Sequence, residues 1–110
     1  MSNEKETVKE KTFHFSVRII NLYKYLCNTK NEYVLSKQLL RSGTSIGANV
    51  REAQNGHTKA DFVCKLNIAQ KETDETMYWL ELLKETGYLA DKEFETIYQD
   101  AQEILKMLRS

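Results

Sequence analysis

Hydrophobic and polar positions along the chain alternate with a helical period in four runs, separated by short polar breaks. The first runs from about Val8 to Asn28. Phe13, Val17, Ile20 and Cys27 fall on one face, with Ile19, Leu22 and Leu26 beside it. A stripe this wide marks a helix that faces a core. Residues 1–7 are expected to form a flexible arm. Asn28-Thr29-Lys30-Asn31 reads as a turn, because Asn tolerates left-handed backbone angles and its side chain bonds nearby amides.

The second run extends from about Glu32 to Asn55. Leu35, Leu39, Gly43, Ile46, Val50 and Ala53 step by three or four. Gly43 and Gly47 each cost a helix about 1 kcal/mol against Ala. The apolar period nevertheless keeps its phase across them, which predicts one continuous helix approached closely by a neighbour. Gly56 is expected to close it. The third run, about Lys59 to Glu85, carries Phe62, Leu66, Ala69, Thr73, Thr76, Leu80 and Leu83 on one face and ends at Gly87. The fourth begins near Asp91, a suitable N-cap, and ends near Arg109, with Phe94, Ile97, Ala101, Ile104 and Leu108 as its stripe. Short breaks between runs of matched length predict an all-α, antiparallel up-down-up-down four-helix bundle.

Composition supports a single globular domain over residues 1–110. Hydrophobic residues make up 41% and charged residues 29%, Pro is absent and Gly occurs four times. That argues against sandwiches, barrels and Pro-rich recognition segments. No apolar run approaches the roughly 20 residues of a membrane helix. The polar start, MSNEKETVKEK, is unlike a signal peptide, so a cytoplasmic protein without membrane contact is expected. Cys27 and Cys64 have no C-x-x-C pattern and read as buried, reduced thiols.

Sixteen basic and sixteen acidic residues cancel, but not evenly along the chain. Residues 1–60 hold ten basic and five acidic residues, a net of +5, and residues 61–110 hold six and eleven, a net of −5. Two readings stay open: the halves complement each other within one fold, or they present complementary patches to neighbouring copies.

Enzyme chemistry finds little to use. A di-metal bundle needs Glu-x-x-His motifs, and neither His14 nor His57 follows a Glu by three positions. There is no G-x-S-x-G, Cys64 has no evident base partner, and Gly43-x-x-x-Gly47 lacks the Lys-Ser/Thr of a phosphate loop. No catalytic residue, metal or cofactor is assigned. Two stripes on the second helix stand out. Ser42, Ser45, Asn49 and Glu52 form a polar stripe of mainly small residues, which with Gly43 and Gly47 suits a close hydrogen-bonded helix contact. Glu72, Glu75 and Lys71 are candidate partners for Asn49. Lys37, Arg41 and Arg51 form a basic stripe with Thr44 and Ala48, and Arg18, Lys24 and Lys30 add positive charge. Such a face can track phosphates. It can also be an ordinary solvated face, and Arg41 adjoins the polar stripe, where it could bond an acidic neighbour.

The stretch Leu39-Leu40-Arg41-Ser42-Gly43-Thr44-Ser45-Ile46-Gly47-Ala48-Asn49-Val50-Arg51-Glu52-Ala53 resembles the signature of the bacterial four-helix-bundle family encoded in 23S rRNA intervening sequences. Lys59-Ala60-Asp61-Phe62, Leu66-Asn67-Ile68-Ala69, Glu72 and Glu75 before Tyr78-Trp79-Leu80, and Thr86-Gly87-Tyr88-Leu89 are similar to it too. The resemblance covers about residues 12–108. Where many relatives carry Pro after Ser-Ile, this chain has Gly47. The resemblance implies a ring of five identical chains. It also implies kinship to the accessory variability protein of diversity-generating retroelements, a basic pentameric barrel that binds a reverse transcriptase and nucleic acid.

Three functions follow for test: an oligomeric module that binds RNA, DNA or a nucleic-acid enzyme; a structural or protein-binding ring without nucleic-acid contact; and an enzyme using Asn49, Glu52, Glu72 and Glu75.

Overall fold

The computed structural model describes residues 6–110, so most of the expected arm lies outside the described residues. Four helices follow in order, α1 (Val8–Asn28), α2 (Leu35–Gln54), α3 (Lys59–Glu85) and α4 (Asp91–Arg109). Each neighbours two others, α1 touching α2 and α4, and α3 touching α2 and α4. Their directions alternate: Lys11 on α1 meets Glu103 on α4, while Arg18, further along α1, meets the earlier Glu93. The architecture is the expected up-down-up-down bundle.

Local chemistry sets the helix ends. Thr7 belongs to no arm: its hydroxyl accepts from the Glu10 N–H, and Glu10 accepts from the Thr7 N–H, a reciprocal cap that starts α1. Asn31 adopts φ 55°, as the turn reading expected. The next residue, Glu32, does not begin α2 but caps it. Its side chain accepts the N–H groups of Val34 (3.2 Å), Leu35 (2.9 Å) and Ser36 (2.7 Å), so the helix starts at Leu35. The Thr58 hydroxyl accepts from the Asp61 N–H at 3.0 Å to start α3. Gly87 ends α3 with φ +86°, and the Tyr88 and Leu89 N–H groups both turn back to the Leu83 carbonyl. Asp91 is not the N-cap of α4: Ala90 holds that position without a side-chain bond, and Asp91 is the first helical residue, where its charge still meets the positive end of the dipole. Asn55, not Gly56, is the C-cap of α2; the Gly56 N–H donates to the Ala53 carbonyl at 3.2 Å.

α2 runs unbroken through Gly43 and Gly47. The core is built from Ile19, Leu26, Leu39, Ile46, Leu80, Leu83, Ile97 and Ile104, all fully buried. The faces of α2 and α4 are those the spacing predicts, but α1 is rotated from expectation. Thr12, Phe15, Ile19, Leu22 and Leu26 point inward, and Phe13, Val17 and Ile20 are exposed. Phe62 on α3 is exposed as well. α4 ends at Arg109, whose guanidinium lies 3.8 Å from Asp74, so α4 does not reach the first turns of α3. Neither cysteine is a core thiol: Cys27 is partly buried and Cys64 exposed.

Candidate nucleic-acid interface and helix contacts

The small-residue motif of α2 serves three directions at once. Gly43 and Gly47 face α1. A Cβ on Gly43 would lie 2.8 Å from Ile19, and one on Gly47 3.2 Å from the Thr12 carbonyl oxygen. Ser42 faces α3 and shares a buried 2.9 Å hydrogen bond with the Thr76 hydroxyl. Glu52 also reaches α3, pairing with Lys65 at 2.9 Å. Ser45 and Asn49 turn back on their own helix: Ser45 Oγ donates to the Arg41 carbonyl at 2.7 Å, and Asn49 Nδ2 to the Ser45 carbonyl at 2.8 Å. The partner of Asn49 is therefore not Glu72, Glu75 or Lys71. Those two glutamates hold Arg41, and Glu75 also accepts the Trp79 Nε1–H at 3.1 Å. Asn49, Glu52, Glu72 and Glu75 do not converge on one site.

Some cations serve helix contacts, while others, on the α1–α2 side and also at Lys59, Lys71, Lys92 and Lys106, are exposed and in no ion pair among the described residues. Lys11 bridges to Asp100 (3.3 Å) and Glu103 (2.8 Å), and Arg18 to Asp100 (3.0 Å), Glu93 (3.1 Å) and the Thr96 hydroxyl. Burial works against the charge on Lys11, but the Glu103 and Asp100 carboxylates outweigh it and raise its pKa. Arg18 is thus a clamp between α1 and α4, away from the basic stripe of α2. Arg41 is tied to α3. Part of the charge division between the chain halves is satisfied by these contacts within one chain.

Lys37 and Arg51 remain exposed and in no ion pair among the described residues. On α1, Phe13, Val17, Ile20 and Lys24 step by four, three and four along the exposed side next to α2. The α1–α2 register pairs Ile19 with Gly43 and Thr12 with Gly47, which puts Lys24 at the Lys37 end and Lys9 at the Arg51 end. Lys9, Phe13, Ser16, Gly47, Ala48, Arg51, Glu52 and Asn55 line a groove of about 400 Å³ between the helices. The sequence pattern missed Lys9 and Phe13 as surface groups. The signal was present in Gly43 and Gly47, which turn one side of α1 toward α2 and leave Phe13 outside.

Residues 4–110 match the 23S rRNA-intervening sequence protein family. The chain belongs to this family. A crystal structure of a protein of unknown function from the S23 ribosomal protein family of Bacteroides thetaiotaomicron superposes with a TM-score of 0.92 at 57% identity, covering 93% of this chain and 94% of that one. No curated protein matches the chain. The family and this neighbour indicate no enzymatic class. Among the described residues, no cluster of His, Cys, Asp and Glu has the arrangement of a metal site, and no helix is long and apolar enough to cross a membrane. The α1–α2 side of this family member carries the exposed Lys9, Lys24, Lys37 and Arg51.

Proposed function

We propose that the protein is a non-enzymatic bundle that assembles into a ring, five copies being the number the family resemblance implies, and binds nucleic acid through its α1–α2 face without reading sequence. The observation that carries this reading is the set Lys9, Lys24, Lys37 and Arg51. All four are exposed, lie on one side of the bundle, and form no ion pair among the described residues. Free cations on one face contact phosphates and release counterions, whatever the net charge of the chain. A ring repeats the face in every subunit, so weak contacts add by multivalency. A reverse transcriptase, or another enzyme already holding nucleic acid, is a partner that such a face would meet on a shared strand.

A second reading, a protein-binding or structural ring without nucleic acid, draws on the exposed Phe13, Val17 and Ile20. Labelled RNA and DNA titrated across salt decide between them. The first reading expects a clear salt slope that becomes shallower in Lys37→Glu/Arg51→Glu while the helical circular-dichroism signal is unchanged. A slope near zero in the wild type leaves the second reading. Light scattering at micromolar concentration tests the ring, and a mass near the 12.9 kDa of one chain rejects it.

A further inference from the structure

We propose that the groove at Phe13 is a stacking site for an unpaired base, giving the basic face a preference for single-stranded over duplex nucleic acid. The inference rests on the nucleic-acid reading above and adds the class of ligand. Phe13 is 53% exposed, although the neighbouring positions of α1 hold the core. Its ring stands edge-on to His14, with centroids 5.9 Å apart at 70°, and His14 Nδ1 lies 2.6 Å from a Glu6 carboxylate oxygen. Across the groove, Gly47 and Ala48 present almost no side chain, so nothing from α2 covers the ring.

Cations flank the ring from both helices. Lys9 is one turn before Phe13, and Arg51 is one turn beyond Gly47; the three also line the adjoining pocket. Two carboxylates also stand near the ring among the described residues: Glu52 pairs with Lys65 at 2.9 Å, and Glu10 accepts the Thr7 N–H at 3.0 Å and keeps its charge. An exposed aromatic ring between cations that form no ion pair among the described residues is an arrangement that binds single strands, the base stacking and the cations following the backbone. Bases in a duplex are already stacked on one another, so a ring set in a groove between two helices cannot engage them. Stacking accepts any base, which agrees with a face that does not read sequence.

The test is fluorescence anisotropy of a labelled oligo(dT) or oligo(U) and of a duplex of equal length, with the full chain, across salt. The expected result is tighter binding of the single strands. Phe13→Ala should weaken them by about five- to 150-fold, leave the duplex unaffected and leave the salt slope unchanged, because stacking releases no counterions. Phe13→Trp should restore the affinity. Lys9→Gln/Arg51→Gln should reduce the slope by about 0.7 for each phosphate no longer neutralised. Phe13→Leu keeps the position apolar, so it guards against a folding defect and should bind as poorly as Phe13→Ala. Wild-type affinity in Phe13→Leu, or equal losses for strand and duplex in Phe13→Ala, would overturn the stacking site while the basic-face reading stands. A fall in assembly mass in Phe13→Ala would show that a second copy covers the ring, and also overturns it. A wild type that binds neither ligand removes the basic-face reading itself.

Discussion

Gly43 lies directly against Ile19: a Cβ added to Gly43 would sit 2.8 Å from both Ile19 Cγ1 and Cγ2. Ile19 is fully buried, so it can yield only by moving against its core neighbours. Gly43→Ala gains up to about 1 kcal/mol of helix propensity. Overpacking of a filled core costs typically about 1–3 kcal/mol, so the net effect should be destabilising. Ile19→Ala removes the clashing atoms, so the double variant should lose less stability than the two single variants added together. Denaturant unfolding of the four proteins measures this, and simple additivity would contradict the contact. At Gly47 the obstacle is the Thr12 carbonyl oxygen at 3.2 Å. A backbone atom yields less readily, so Gly47→Leu should cost at least as much, about 1–3 kcal/mol.

The same glycines explain which parts of the fold the sequence made legible. On α2 and α4 one apolar stripe dominates, and the period alone selects the buried face. On α1 two stripes compete. Phe13-Val17-Ile20 and Phe15-Ile19-Leu22-Leu26 both have helical spacing and similar hydrophobicity. Hydropathy cannot choose between them; the approach to Gly43 and Gly47 does, and that is a contact between helices. Phe62 fits the period of α3 equally well, but burial there depends on where α4 stops. The cap of α2 was hidden for another reason: a Glu that accepts three backbone N–H groups is unusual beside the Ser, Thr, Asp and Asn that normally cap. The basic stripe of α2 was legible, and so was an acidic neighbour for Arg41; which carboxylates it meets was not, because Glu72 and Glu75 lie far along the chain on α3.

Glu32 should make the protein sensitive to acid. Burial pushes its carboxyl up, but the N–H groups of Leu35, Ser36 and Val34 outweigh burial and hold it below the ordinary value of 4.5. A lowered folded pKa means that the stabilisation is fully present above the unfolded value and is lost as the pH falls through the folded one. Glu32→Gln keeps the shape but lacks the charge. It should be less stable than wild type at neutral pH by about 1.5–3 kcal/mol, the range for hydrogen bonds to a charged group. The gap should close as the pH drops below 4.5. Melting curves from pH 7 to pH 3 test it; a gap independent of pH would show that the charge is not the cap.

Tyr98 provides the opposite case at high pH. Its hydroxyl donates to Glu81 at 2.6 Å, and this bond, together with burial and the charges of Glu81 and Asp74, pushes its pKa up to about 12. The raised value stabilises the fold below the ordinary tyrosine value of 10.0, and the contribution disappears as the pH rises through about 12. Spectrophotometric titration should therefore show one tyrosine ionising near 12 that is missing from Tyr98→Phe. If the difference between the two curves centres near 10 instead, the bond to Glu81 does not persist in solution.

Arg41 separates structural charge from binding charge. It sits between Glu72 and Glu75, with Gln38 beside it and Trp79 bonded to the same Glu75. A guanidinium shared by two carboxylates is already neutralised and has little to offer a phosphate. Arg41→Gln should therefore leave the salt slope of nucleic-acid binding unchanged, whereas Lys37→Glu/Arg51→Glu should reduce it. Arg41 is half exposed, so its loss should cost only about 0.5–1 kcal/mol of stability, near the upper end for surface pairs. The Trp79 fluorescence should shift, because the indole partner Glu75 loses its cation. Arg18→Gln should behave in the same way for binding, since Asp100 and Glu93 hold Arg18 between α1 and α4. If Arg41→Gln instead lowers the slope by as much as one neutralised phosphate, Arg41 exchanges its glutamates for phosphate on binding, and the binding face extends across the α2–α3 seam.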